Sequence, residues 1–125
     1  IPKFITRLLD GKPPIIYGDG EQTRDFVYVL DVVRANILAM ESGATGVFNI
    51  AGGRRINLNE LARNLGEIMG VHTPPIYEPP RLGDVRDSLA DISRARVAFG
   101  YSPRYALKEG LRETVIWFRD SGRYR

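Results

Sequence analysis

The sequence predicts a small α/β domain. Three observations carry that expectation. Amphipathic stripes at helical spacing alternate along the chain with short β-branched and aromatic runs. The 13 glycines and 8 prolines fall mostly between those segments, where turns belong. Finally, 125 residues with 43% hydrophobic and 26% charged content suffice for one core, and two independent cores would each be too small.

The first element expected is a helix over Pro2 to Leu9. Phe4, Ile5, Leu8 and Leu9 recur at helical spacing, with a proline suited to the first turn and Gly11 suited to a left-handed stop. Ile15-Ile16-Tyr17 then reads as a buried strand closed by the loop Gly18-Asp19-Gly20. Arg24 to Leu30, rich in Val, Tyr and Phe, predicts a second extended stretch. Asp31 has the form of an N-cap for a helix carrying Val32, Val33, Ile37, Leu38 and Met40 and stopping near Ser42-Gly43. Val47 to Ile50 is expected as a short strand ended by Gly52-Gly53. Asn57 with Glu60 three positions on resembles a capping box, and Leu58, Leu61, Leu65 and Ile68 continue a stripe to Gly70. Four prolines within Thr73 to Pro80 allow Ile76-Tyr77 an edge strand or an extended crossing but no central strand. Asp91 to Phe99 predicts a short capped helix. Leu107, Leu111, Val115 and Phe118 predict a last helix, with Ser121 to Arg125 expected to fray. Three or four short strands are a slight sheet for so many helices, so the chain reads as part of something larger.

Composition excludes several functions. The chain has no Cys and one His, which rules out a disulfide framework and a Cys/His zinc site, and no metal site is assigned. No apolar run approaches the roughly 20 residues that cross a bilayer, and no signal peptide opens the chain, so a cytoplasmic protein without a membrane partner is expected. A formal charge of +3 with interspersed signs is too mild for nucleic acid, and an anionic small molecule fits better.

No GxxxxGK[ST], no GxGxxG between strand and helix, and no Gly-x-Ser-x-Gly occurs. Three segments place a charge or an amide at a strand end. In the first, Tyr17 closes one strand and Arg24 opens the next; its guanidinium suits bidentate phosphate binding, or an ion pair with Asp25 or another carboxylate. In the second, Asn49 sits within an apolar strand, as a pocket group or as a buried amide satisfying loop backbone. In the third, Arg81-Leu-Gly-Asp84 follows the proline-rich crossing, as a ligand-binding pair or as a turn with two solvated charges. His72, beside a helix stop, reads as a surface residue.

Taken in order, these stretches resemble the C-terminal, substrate-binding half of the extended short-chain dehydrogenase/reductases, the NAD-dependent nucleotide-sugar epimerases and dehydratases. The matching residues are Ile15 to Val33, Val47 to Gly53, Arg81 to Asp84, Asp91 to Arg96 and Phe99-Gly-Tyr-Ser-Pro103. The resemblance implies that residues 1–125 form the nucleotide-sugar-binding domain of a longer enzyme, a few short strands packed with about five helices, without the doubly wound cofactor domain. It implies that Ile15 and Tyr17 bracket a uracil-like base, that Arg24 and Arg81 hold the diphosphate, that Asp84 meets a ribose hydroxyl, and that Asn49 lines the pocket near the phosphates or the loop backbone.

The family's glycine-rich NAD fingerprint and its Tyr-x-x-x-Lys pair do not occur in these residues; Tyr105 and Lys108 are three apart. The resemblance therefore implies no catalytic and no cofactor-binding residue in this chain, with NAD bound by the missing N-terminal domain. A UDP-sugar 4-epimerase acting on UDP-glucose or UDP-galactose is expected, a dTDP-glucose 4,6-dehydratase or another nucleotide-sugar modifier being the alternative within the family. A non-catalytic interaction module using its basic surface is the alternative outside it. The fragment is expected to turn nothing over, to bind a UDP-sugar at about millimolar strength, and to self-associate through the surface its partner domain would cover; the parent is expected to be a homodimer.

Overall fold

The computed structural model describes residues 1–121. The elements run α1 (Pro2–Leu9), β1 (Ile15–Tyr17), β2 (Thr23–Asp25), α2 (Val29–Ser42), β3 (Arg55–Asn57), α3 (Leu58–Met69), β4 (Ile76–Glu78), α4 (Ser93–Phe99) and α5 (Leu107–Ser121). The α/β class holds, with five helices and four three-residue strands. Of the stretch Ser121 to Arg125 expected to fray, Ser121 is instead the last residue of α5, and the others lie outside the described residues.

The strands make two separate pairs. β1 runs parallel to β4, Ile16 opposite Tyr77, and β2 runs antiparallel to β3, Arg24 opposite Ile56. Four prolines around β4 leave it an edge strand, as their missing N–H groups require. β3 was not foreseen, because Arg55-Ile56-Asn57 shows neither a long apolar run nor an alternation of strand length. It forms because its backbone partners β2 directly before α3.

The stripes on α1, α3 and α5 converge on one core of Phe4, Ile5, Leu8, Leu61, Leu65, Leu111, Val115 and Phe118, with Ile16 of β1. Burying each of these large apolar side chains contributes about 1.5–3 kcal/mol. Asn57 caps α3 as its spacing predicts, accepting from Glu60 N at 2.7 Å. Gly70 ends the helix at φ +68, where Val71 N and Gly70 N donate back to Gly66 O and Glu67 O, a Schellman stop.

Four expectations need correction. The single core is two: Ala35, Ala51, Ile92, Ala95, Phe99 and Tyr101 form a second cluster between α2 and α4. Asp31 does not cap α2, which begins two residues earlier after Tyr28. Its carboxylate is instead buried and accepts from Arg104 N at 2.8 Å and Tyr105 N at 3.2 Å, pinning the segment that enters α5. The second extended stretch is shorter than expected, because Tyr28 turns the chain into that helix. Val47 to Ile50 forms no strand: its backbone makes no ladder pairing among the described residues, and Val47 is 81% exposed.

Candidate functional site

Residues from β1, β2 and the turn after β4 meet at one end of the two strand pairs. Ile15 and Tyr17 stand two apart on β1 and therefore share a face, which lines an open groove of about 360 Å³. Pro2, Lys3, Phe4, Thr6 and Arg7 of α1 form the facing wall. Arg7 is fixed by donating Nε to Pro13 O at 2.6 Å, while Tyr17 O accepts from Gln22 Nε2 at 2.6 Å. The groove thus has an apolar base with cationic side chains on its α1 wall.

Arg81 lays its guanidinium over the Tyr17 ring, 3.9 Å from the centroid, a cation–π contact. The turn that follows is closed by Asp84 N donating to Arg81 O at 3.2 Å. Asp84 Oδ1 then accepts from Arg24 Nη2 at 2.5 Å, and Arg24 Nη1 donates to Thr23 O at 2.7 Å. Tyr17, Arg81, Asp84 and Arg24 are therefore linked contact by contact. Arg24 pairs with Asp84 and not with Asp25, whose carboxylate accepts from Gly52 N, Gly53 N and Ala90 N at 2.9–3.4 Å.

The charges of this cluster are only partly shielded: the Arg24 and Asp84 side chains are 26% and 38% exposed. An ion pair at that exposure contributes about 0.2–1 kcal/mol, whereas a charge-assisted hydrogen bond to a phosphate contributes about 1.5–3 kcal/mol. An incoming diphosphate can therefore draw Arg24 away from Asp84, freeing the carboxylate to accept from a hydroxyl. Arg81 can likewise leave the ring and open the face of Tyr17 to a planar base.

The predicted residue that stays apart is Asn49. It is exposed and donates Nδ2 to Asp91 O at 3.3 Å, bridging two loops beside the second core. Sequence reasoning missed Lys3, Thr6 and Arg7, although their spacing places them together on one face of a helix. It also missed the neighbouring network in which Asp19 accepts from Arg86 Nη1 at 2.7 Å and Asn59 joins Asp19 O, Glu21 and the Tyr77 hydroxyl. Its members come from four distant segments, and no local signal marks them.

No strand enters a helix through a glycine-rich turn among the described residues. A dinucleotide sits where a strand enters a helix through a glycine-rich turn. β1 leads through Gly18-Asp19-Gly20 into β2, α2 follows Phe26-Val27-Tyr28, and α3 follows β3 directly. No group of three or more His, Asp or Glu capable of holding a metal ion occurs among these residues, and no helix is long and apolar enough to cross a membrane.

Comparison with known proteins gives a consistent picture. Residues 1–51 match the NAD dependent epimerase/dehydratase family. The UDP-glucose 4-epimerase of Mycolicibacterium smegmatis is 41% identical over 118 residues, which are 94% of this chain and 38% of that protein. The dTDP-glucose 4,6-dehydratase of an Actinoplanes species is 39% identical over 121 residues, 95% of this chain and 38% of that protein. Among solved structures, UDP-glucose 4-epimerase with UDP-glucose from Thermotoga maritima superimposes with a TM-score of 0.89 at 50% identity, covering 94% of this chain and 38% of that one. The chain spans about two fifths of the length of the relatives it matches.

Proposed function

We infer that the chain belongs to the NAD dependent epimerase/dehydratase family, within the extended short-chain dehydrogenase/reductases. We propose that it binds the nucleotide diphosphate of a UDP-sugar, as the substrate-binding part of an NAD-dependent UDP-sugar 4-epimerase. The observation that carries this is the linked set Tyr17, Arg81, Asp84 and Arg24 beside the groove under Ile15. Ile15 and Tyr17 take the base, Arg24 and Arg81 take the two phosphates through planar forks that stay charged at any working pH, and Asp84 accepts from a ribose hydroxyl. The likeness to a UDP-glucose 4-epimerase solved with UDP-glucose supports the choice of nucleotide.

These residues bind and orient, and no proton or hydride step falls to them. The oxidation and reduction of the sugar belong to a cofactor-binding part that this chain pairs with. Two features support such a partner. Val29, Val33, Ile37 and Met40 form an exposed apolar face on α2, and the backbone of Val47 to Ile50 makes no strand pairing among the described residues. A cytoplasmic setting and a homodimeric parent belong to the same proposal.

Titration of the chain with UDP and with dTDP, followed by calorimetry, tests the reading. Binding of UDP at about millimolar strength, weakened about tenfold in Arg24→Ala, is expected. A clear preference for dTDP moves the assignment to a 4,6-dehydratase. Failure of both nucleotides to bind at tens of millimolar overturns it.

A further inference from the structure

A second cavity lies on a different face, between the β3–α3 junction and the segment that enters α5. It is open to solvent and measures about 640 Å³, and its walls carry Arg54, Arg55, Arg104 and Lys108 against the single carboxylate of Glu60. Arg55 reaches Asp87 only at 4.0 Å and Lys108 shares Glu67 at 2.7 Å, while the side chains of Arg54 and Arg104 meet no carboxylate among the described residues. A concave wall with this charge imbalance concentrates anions.

Two further observations make it a built site. The cavity reaches the N-terminus of the 15-residue α5, whose first-turn amides have no partner within the helix, so the positive end of the helix faces the same space as the guanidinium groups. Asn64, inside α3, is 5% exposed and lines the cavity, and its carboxamide makes no hydrogen bond among the described residues. Its polar atoms are not sealed from solvent, so the small exposed part of this side chain offers the cavity an amide donor and acceptor that no protein group occupies. Sequence alone gives no reason for an asparagine between Leu61 and Leu65 on an otherwise apolar helix face.

We propose that this cavity binds a phosphate-bearing small molecule, with the phosphate between Arg104, Arg54 and the first turn of α5, and with Asn64 pairing with a polar group deeper in. The volume exceeds what a bare phosphate fills, so the ligand is a phosphate ester. The site shares no residue with the Tyr17–Arg24 groove, and the two proposals stand or fall separately.

The test is nuclear magnetic resonance titration of the chain with inorganic phosphate and, in a second arm, with a phosphomonoester such as AMP. Chloride at matched ionic strength serves as the control. The expected result is a saturable shift of the Lys108 amide and the Asn64 carboxamide, with AMP binding more tightly than phosphate. Arg104→Ala weakens that binding about tenfold, and Arg24→Ala leaves it unchanged. Asn64→Leu, checked for an unchanged melting temperature, abolishes the advantage of the ester. Equal binding of AMP and phosphate confines the ligand to free phosphate and overturns the assignment of an ester. Shifts that chloride reproduces, or that survive Arg104→Ala undiminished, overturn the site.

Discussion

Arg24 Nη2 donates to Asp84 Oδ1 at 2.5 Å, joining residues 60 positions apart and holding the turn after β4 against β2. The contact satisfies both groups while leaving each about a third exposed, a geometry that an anion of higher charge can displace. Asp84→Asn removes the competitor and keeps the shape. The variant is expected to present a freer Arg24 and to bind inorganic pyrophosphate about two- to fivefold more tightly than the original, whereas UDP gains less because a neutral amide is the weaker acceptor for its ribose. Competition calorimetry with the two ligands separates these effects.

Asp31 is the buried carboxylate that ties α2 to the entry of α5. Asp31→Ala leaves Arg104 N and Tyr105 N without an acceptor and is expected to cost about 2–4 kcal/mol in urea unfolding. Asp31→Asn retains one acceptor and costs less. Equal losses for the two variants would show that the charge, and not the hydrogen-bond geometry, holds the segment.

Two glycines separate crowding from backbone strain. A Cβ on Gly52 would stand 2.4 Å from Phe26 O, so Gly52→Ala has to move main chain and is expected to cost about 2–4 kcal/mol. Gly70, at φ +68, has open space around it, so Gly70→Ala carries only the penalty of a left-handed alanine, about 1–2 kcal/mol. Denaturant midpoints of the two variants should fall in that order.

Asp19 is held below the ordinary aspartate range, first by its hydrogen bond from Arg86 and then by that from Glu21 N. A carboxyl depressed in the folded state adds stability above its unfolded pKa and loses it as pH falls through the folded value. The difference in stability between the original chain and Asp19→Asn should therefore be present at about pH 6 and vanish toward about pH 2. Because the pair is exposed, added salt should shrink that difference.

The apolar face of α2 predicts self-association. Val29, Val33, Ile37 and Met40 are 45–78% exposed and fall on one side of the helix. Sedimentation velocity is expected to detect dimers or larger species at high concentration, and Val33→Glu with Ile37→Glu should return the chain to a monomer. A monomer at every concentration removes the argument that this face needs a partner.

The five helices were readable because a helix is a local object. Its stripe repeats every three to four residues, as in Leu61, Leu65 and Ile68, and its ends are written within a turn, as Asn57 with Glu60 and Gly70. The residues proposed to bind were singled out for a different reason: the order of the Tyr17, Arg24 and Arg81–Asp84 stretches matches a family, although no single stretch decides between a ligand contact and a surface ion pair.

The tertiary structure alone decided the rest, because each remaining feature depends on which distant backbone comes to lie alongside. Val47 to Ile50 has the composition of a strand and is none, since pairing needs a neighbour that composition cannot supply. Asp31 looks like a cap and is a clamp, because Arg104 and Tyr105, more than 70 positions on, bring their amides to it. The partner of Arg24 and the cavity over Asn64 arise in the same way. Periodicity and capping are decided within a few residues, while ion pairs and clamps are decided by closures of 60 to 74 residues, and cavities by similarly distant contacts, whose geometry no local pattern records.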